Sequence, residues 1–452
     1  MEIVNEDFSK LSDALKSKDV IFEAETDSHP NIVSSYPAEE IFITKTWLSE
    51  GVYKDIFDAF DYTPKLKINI SDSKQSFTPL LTGNINWVAS DNQHFWHLFI
   101  RFPKTNCIYE WPDIVYTNDV ATMTKHIEKI IFSHHKDFYD TALPDGTLLF
   151  NIINQQQQYN VKPAETSVIL PTFMLPYYEG FNRINDRYWL GIYRRDEKFT
   201  IKFLQEVCAL CLATKIGQLC STPWKSIIIK GIEEKDRGLW DAVLGKHQVN
   251  VRHAANELNF QVEDDCKDGL ALKSYLIKHL QEDDTRTFGI CIGIKTRRKS
   301  EVFSSILVKR KPLFTIAGIE FFHRYDILCA KDCNPNERTG YVFSSNNFKW
   351  LLPEQLRRAI ISFYAYKTEK QEMVSKKKPK NEMLLKDEMA VFVHQCKQCF
   401  TIYDTTVGEP ENNIAAGTTF ENLPDNYCCS LCEAPKKSFV KITKSSLVFV
   451  QE

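Results

Sequence analysis

Four cysteines near the C-terminus constrain this chain more than anything else in it. Cys396-Lys397-Gln398-Cys399 and Cys429-Ser430-Leu431-Cys432 are two Cys-x-x-Cys pairs with twenty-nine residues between them. Two intervening residues let the chain turn back so that both sulfurs of a pair face one point, and two such turns can close a tetrahedral four-sulfur metal site. A stretch this short cannot bury enough apolar surface to fold alone, so metal has to close it. On cysteine spacing alone, zinc is the first choice of metal.

At 452 residues the chain is too long for one ordinary core, and two to four domains are expected. With 56 basic and 59 acidic residues the net charge is −3, which gives no reason to expect a nucleic-acid partner. The first residues, Met1 to Asp7, are acidic and no apolar run succeeds them. Neither a signal peptide nor a membrane span is expected, and the expected location is cytoplasmic. In a reducing compartment the thirteen cysteines serve as metal ligands and buried thiols rather than as disulfides.

The periodicities predict an α+β protein. Residues 1–180 read as an N-terminal α+β region, 181–366 as a second α+β region, 367–392 as a charged linker and 393–441 as the metal module. Helices are predicted over Asp7–Lys18, Lys45–Phe60 and Asp119–Ser133, and strands over Asn84–Val88 and Phe95–Arg101. The Gln155–Gln158 run and Pro163 mark a loop or boundary. In the middle, strand Tyr188–Tyr193, helix Phe199–Ile216, strand Ser226–Ile229 and helix Asp236–Leu244 make a half-ferredoxin-like unit. Phe288–Lys295 and Val302–Arg310 then read as a hairpin turning at Thr296–Lys299, and Pro353 opens a helix over Glu354–Tyr366. The tether comes next, with Lys376-Lys377-Lys378-Pro379-Lys380 at its centre. His94, His97, His134 and His135 have no acidic or cysteine partner at ligand spacing, and His247 and His253 suit no single-turn pair, so none is read as a metal ligand.

The residues between the cysteine pairs are more specific. Ile402-Tyr403-Asp404, Gly408-Glu409-Pro410, Gly417-Thr418-Thr419-Phe420-Glu421-Asn422-Leu423-Pro424-Asp425, Tyr427 and Phe439 resemble the rubredoxin family in order and spacing over Gln395 to Lys441. The resemblance implies one iron held by Cys396, Cys399, Cys429 and Cys432 and used to carry single electrons, with zinc as the alternative metal. Tyr403, Phe420, Tyr427 and Phe439 would pack around the site. Members of that family have glycine where this chain has Phe400 and Glu433, proline where it has Ser430, and tryptophan where it has Tyr427. Cys428 is out of register and reads as a spare thiol. Between His394 and Val440 six acidic residues face three basic ones, an acidic surface suited to a basic partner.

A second resemblance covers the stretch from Tyr188 through Gly217-Gln218-Leu219-Cys220-Ser221-Thr222-Pro223-Trp224-Lys225 to Ile232, which is similar to the ferredoxin-like half-domain of nitrite and sulfite reductases. It implies that fold. Where that family has arginines for sirohaem carboxylates this chain has Trp224 and Lys225, and of the two cluster-binding cysteine spacings only Cys329-x3-Cys333 is present; Cys208 and Cys211 lie on a predicted helix. Two basic groups are candidates to serve a ligand or partner: Lys295, Arg297, Arg298, Lys299, Lys309, Arg310 and Lys311 as a patch on the predicted hairpin, and Lys225, Lys230, Arg252 and His253 as an anion site. Ion pairing within the fold is the simpler reading of both. No catalytic residue is assigned. The reading is an electron carrier whose large body docks a protein redox partner, in nitrite or sulfite assimilation. The alternatives are a redox enzyme with its own cofactor in the body, and an interaction scaffold around a structural zinc.

Overall fold

The structure is a computed structural model. It describes residues 22–23, 31–39, 41–42, 46–171, 173–216, 219–264, 266–297, 302–316, 319–337, 339–377, 392–399, 401–409, 412 and 414–443. The predicted helix Asp7–Lys18 and the residues Gly217, Gln218, Arg298, Lys299 and Phe400 lie outside these, as does the linker beyond Lys377. The chain divides into two compact units, 1–364 and 365–452. The architecture mixes helices with several sheets, as α+β patterning predicts.

The first unit opens on a seven-stranded sheet. Strands β1 (Ile32–Ser34), β2 (Ile68–Ser71) and β3 (Ile85–Ala89) run parallel, and β4 (Phe95–Arg101) returns antiparallel. Beyond it, β5 (Ile108–Glu110) and β6 (Asp113–Tyr116) both pair with β4, and β7 (Val161–Pro163) closes the edge. Every residue of β3 is buried, so the strand reads as a continuous run instead of an alternating one. Helix α1 (Glu50–Asp58) starts later than the periodicity suggested, because Ser49 is extended and Trp47 is drawn away to donate its indole N–H to the Ser90 carbonyl at 2.7 Å. Helix α2 (Val120–Ser133) lies where predicted. Helix α3 (Gly146–Gln156) takes in Gln155 and Gln156 and ends there, Gln157 and Gln158 lie in the connection, and Pro163 ends an edge strand, so the polar run marks the boundary expected of it.

The middle region forms a four-stranded antiparallel sheet. Its order is β10 (Leu219–Ser221), β11 (Ser226–Glu233), β9 (Arg187–Tyr193) and β8 (Gly180–Ile184). Gly191 sits mid-strand because the Tyr178 carbonyl crosses it: an added Cβ would lie 1.9 Å from that oxygen. Helices α4 (Ile201–Ala213) and α5 (Arg237–Lys246) pack on this sheet. On α4 the buried face runs through Phe203, Val207, Cys208 and Cys211, slightly rotated from the side that helical spacing predicts, Phe203, Val207, Leu210 and Thr214, so that Leu210 and Thr214 are only half-buried.

The third sheet has five strands: β12 (Phe260–Val262), β13 (Ile292–Lys295), β14 (Ile306–Ile316), β15 (Ile319–Ala330) and β16 (Gly340–Asn347). Helix α6 (Lys267–Glu282) and helix α7 (Leu352–Lys377) accompany it. Here the predicted hairpin is wrong. Strands β13 and β14 are parallel, with Ile292 opposite Ile306 and Lys295 opposite Lys309, and the hairpin is instead β14–β15. Strand β14 thus begins beside the beginning of β13, with Val302 and Ser304 of the segment before it close to Gly293. The absence of a side chain at Gly293 accommodates that segment: a Cβ there would meet Val302 Cγ1 at 2.8 Å and Ser304 Cβ at 2.9 Å. Helix α7 also runs past the predicted end at Tyr366 to Lys377, through a run without glycine or proline that is rich in strong helix formers.

Residues 1–180 and the middle region share a core rather than standing apart. Trp189, Tyr193, Trp224 and Ile228 are buried in one cluster with Phe77, Trp87 and Trp96. The Trp224 indole donates to the Phe77 carbonyl at 2.8 Å, and the Leu80 N–H donates to Asn336 Oδ1 at 2.6 Å.

In the second unit a three-stranded antiparallel sheet has β17 (Phe392–Cys396) between β18 (Ile402–Tyr403) and β19 (Phe439–Thr443). Cys396 is the last residue of the central strand.

Candidate metal centre

The two cysteine turns are built alike. The Cys396 N–H donates to the Thr401 carbonyl at 2.8 Å, and the Cys429 N–H donates to the Ala434 carbonyl at 2.8 Å, so each turn is folded back on itself five residues on. Glu433, at φ +57, takes the left-handed conformation for which glycine is best suited. The four sulfurs of Cys396, Cys399, Cys429 and Cys432 lie within 4.8 Å of one another. Cys396 Sγ is 3.7 Å from Cys432 Sγ, and Cys399 Sγ is 3.4 Å from Cys429 Sγ. Those separations are far longer than a disulfide and near the ~3.8 Å edge of a tetrahedron with metal–sulfur bonds of ~2.3 Å. The donor set therefore fits one thiophilic metal ion. It is the sole group of three or more such donors among the described residues.

Packed this closely, the thiols divide in ionisation. Hydrogen bonds from the Thr401 hydroxyl and backbone hold Cys399 down to about 6. At Cys432 a backbone hydrogen bond at Ala434 acts in the same downward direction, but the neighbouring thiols, Cys399 first, act against it and push the group up to about 12. Four thiolates in one place need a cation between them.

Cys396 and Cys429 are buried, whereas Cys399 and Cys432 are half-buried beside Leu431, which is 72% exposed. The inner side is sealed by Tyr403, Phe420, Leu423 and Tyr427, with Phe439 packed against both the aromatic cluster and the cysteines. Phe439 lies 5.2 Å from Phe420 and 5.7 Å from Tyr427 between ring centres. The four aromatic residues named from sequence are thus brought together. Two contributors were missed. His394 stacks on Phe420 at 4.0 Å, and alternation along β17 was the available signal. Glu409 accepts from Tyr427 Oη at 2.9 Å and from Ser430 Oγ at 3.2 Å. Tyr427 and Ser430 are two of the positions that depart from the rubredoxin pattern, and one carboxylate ties them together. Cys428 is exposed and apart from the cluster.

The other candidates are engaged within the body. Lys225 Nζ reaches Glu197 at 3.0 Å, Asp264 at 2.9 Å and the Val262 carbonyl at 2.9 Å, and Lys230 Nζ reaches the Tyr36 and Glu39 carbonyls. Neither Trp224, buried in the core, nor Lys225 presents itself as an arginine would to a haem carboxylate. Arg297 donates to the Asp264 carbonyl, Arg310 pairs with Asp268 and Lys311 with Asp326, so these basic residues belong to ion pairs and turns of the sheet. Lys295 and Lys309 lie opposite each other on parallel strands, not at two ends of one hairpin. Arg252 is exposed, and His253 bonds Glu179. Cys208 and Cys211 are buried in α4, and burial raises the Cys208 thiol to about 11. Cys329 is buried on β15 and Cys333 half-buried after it. His135 pairs with Asp140, and burial lowers His97. Among the described residues no helix is long and apolar enough to cross a membrane.

Comparison with known proteins separates the two units. The rubredoxin family model matches residues 393–439. Rubredoxin-2 of Chlorobaculum tepidum is 48% identical over 48 residues, which are 11% of this chain and 92% of that protein. A protein named probable rubredoxin-2 from Methanocaldococcus jannaschii is 47% identical over 49 residues, 11% of this chain and 87% of its own length. The structure of the NirA protein of Mycobacterium tuberculosis superposes with a TM-score of 0.54 at 12% identity, covering 74% of this chain and 67% of that one. This last likeness is one of fold alone.

Proposed function

Because this chain belongs to the rubredoxin family through residues 393–439, we propose that its C-terminal unit holds one iron in four thiolates and passes electrons singly. The observation that carries the reading is the gathering of Cys396, Cys399, Cys429 and Cys432 sulfurs within 4.8 Å, in a sequence 48% identical to a rubredoxin. Bound there, iron supplies a one-electron couple whose potential depends on hydrogen bonds to sulfur and on solvent access. The residues of the chain supply the rest. Backbone closure of both turns presets the sulfurs, so they need little movement between charge states. Tyr403, Phe420, Tyr427 and Phe439 exclude water from the inner side. Cys399 and Cys432, half-buried beside exposed Leu431, form the edge nearest to solvent and the place for a protein redox partner to approach.

In this reading the body, residues 1–366, docks that partner, and its fold likeness favours a setting in nitrite or sulfite reduction. The expected location is cytoplasmic. Metal analysis and an absorption spectrum of the purified full-length protein test the proposal. One iron per chain is expected, with visible thiolate-to-iron bands that bleach on reduction. A colourless protein carrying one zinc would sink it and leave the structural scaffold; a further haem or flavin spectrum would move the reading to an enzyme with its own cofactor.

A further inference from the structure

The body contains a cleft that the electron-carrier reading does not use. It is about 560 Å³ and lies between the end of β9, the segment after α5 and the first turns of α6. Val249, Leu270 and Ala271 give it an apolar side, and Tyr193, Arg194 and His253 give it a polar one. A space of that size suits a small organic molecule and is far larger than an inorganic ion needs.

The charged groups around the cleft are almost all taken. Glu179, fully buried, accepts the His253 backbone N–H at 2.7 Å and bonds His253 Nδ1 at 2.6 Å. Arg195 holds Glu257 with two bonds of 2.7 Å. Behind them Lys273, 2% exposed, meets Tyr193 Oη and stands 3.9 Å from Glu197, which also binds Lys225. Such a buried polar network is costly unless each member is satisfied.

Two polar groups stay unmatched at the cleft wall. The His253 side chain is 7% exposed, and its Nε2 has no partner among the described residues. Glu179 fixes the ring by accepting from Nδ1–H, so Nε2 is the edge left to the cleft, and it donates to an anion when the ring carries both protons. Arg194 uses only Nε, in a 3.4 Å contact with Asp196, and its two terminal nitrogens have no partner among the described residues. A guanidinium fork and an imidazole edge beside an apolar wall suit a carboxylate or phosphate carried on an apolar group.

We propose that the cleft formed by Tyr193, Arg194, His253, Val249 and Leu270 binds a small organic anion, with Arg194 and His253 on the anionic head and the Val249–Leu270 side on its apolar part. The site is independent of the metal centre and of its proposed role.

Calorimetric titration of the full-length protein with benzoate and with phenyl phosphate tests this, with inorganic phosphate as the headgroup alone. At least one organic probe should bind and inorganic phosphate should bind more weakly. The tighter of the two identifies the headgroup. Arg194→Ala, at a half-buried side chain outside the core, should weaken binding about tenfold or more, and Arg194→Lys should recover part of it. His253→Asn should weaken it too, with circular dichroism checking the fold, because this change disturbs a buried carboxylate. No binding of either organic probe at millimolar concentration overturns the proposal, as does binding that Arg194→Ala leaves unchanged.

Discussion

Glu409 does two jobs that a tryptophan and a proline would leave undone. Its carboxylate accepts from Tyr427 Oη at 2.9 Å and from Ser430 Oγ at 3.2 Å, which links the aromatic cluster to the second cysteine turn. Tyr427 is 7% exposed, and burial first, then the bond to Glu409, raises its phenol above the ordinary tyrosine value, so the hydroxyl stays protonated and donates. Tyr427→Phe keeps the ring and removes only this bond. A charge-assisted hydrogen bond of this kind contributes about 1.5–3 kcal/mol. The expected result is a C-terminal unit destabilised by about that amount, with metal still bound, read as a lower denaturant midpoint for loss of the metal–thiolate absorbance. An unchanged midpoint would show that Glu409 is held by solvent instead. The substitution pattern at positions 427 and 430 was visible in the sequence, but their common partner was not, since Glu409 lies eighteen and twenty-one residues away and only the fold brings it back.

At the scale of elements, strongly periodic segments were legible and chain direction was not. Helix Val120–Ser133 and strands Ile85–Ala89, Phe95–Arg101 and Arg187–Tyr193 lie where apolar spacing put them, because their burial pattern is local. The pair Ile292–Lys295 and Ile306–Ile316 reads equally well as a hairpin or as parallel neighbours, since both bury the same residues. In the parallel arrangement Val302 and Ser304 pack closely against Gly293. Gly293→Val is expected to force the segment Val302–Ser304 off the strand, since even a Cβ would meet atoms at 2.8 and 2.9 Å. Overpacking of this sort destabilises by roughly 1–3 kcal/mol. Gly238→Ala in helix Arg237–Lys246, where an added Cβ meets nothing within 4 Å, should instead stabilise by about 0.5–1 kcal/mol. Chemical denaturation of both variants checks the contrast, and a Gly293→Val protein as stable as the parent would remove the packing explanation. The four cysteines needed no such help, because two short turns with a fixed spacing specify their own geometry.

For the molecule as a whole, the two compact units obtain stability from different sources. The first, 1–364, has extensive aromatic and aliphatic cores, with Trp87, Trp96, Trp111 and Trp240 almost wholly buried. The described core of the second consists of Tyr403, Phe420, Leu423 and Tyr427 beside the cysteine cluster. A core this small, even with Val393 and Ala434 buried as well, cannot offset the chain entropy of some fifty residues, so metal binding supplies the missing free energy. Cys429→Ser removes a buried ligand and leaves three thiolates. The expected outcome is loss of the metal–thiolate absorbance and of the near-ultraviolet signal from the module's tyrosines, with proteolysis confined to residues beyond 391. The cysteines form a cluster of their own within the second unit, so the first unit's thermal transition should keep the parent's midpoint. Unfolding of both units in a single lowered transition would show that the body depends on the metal for its stability, and the two-source account would fail.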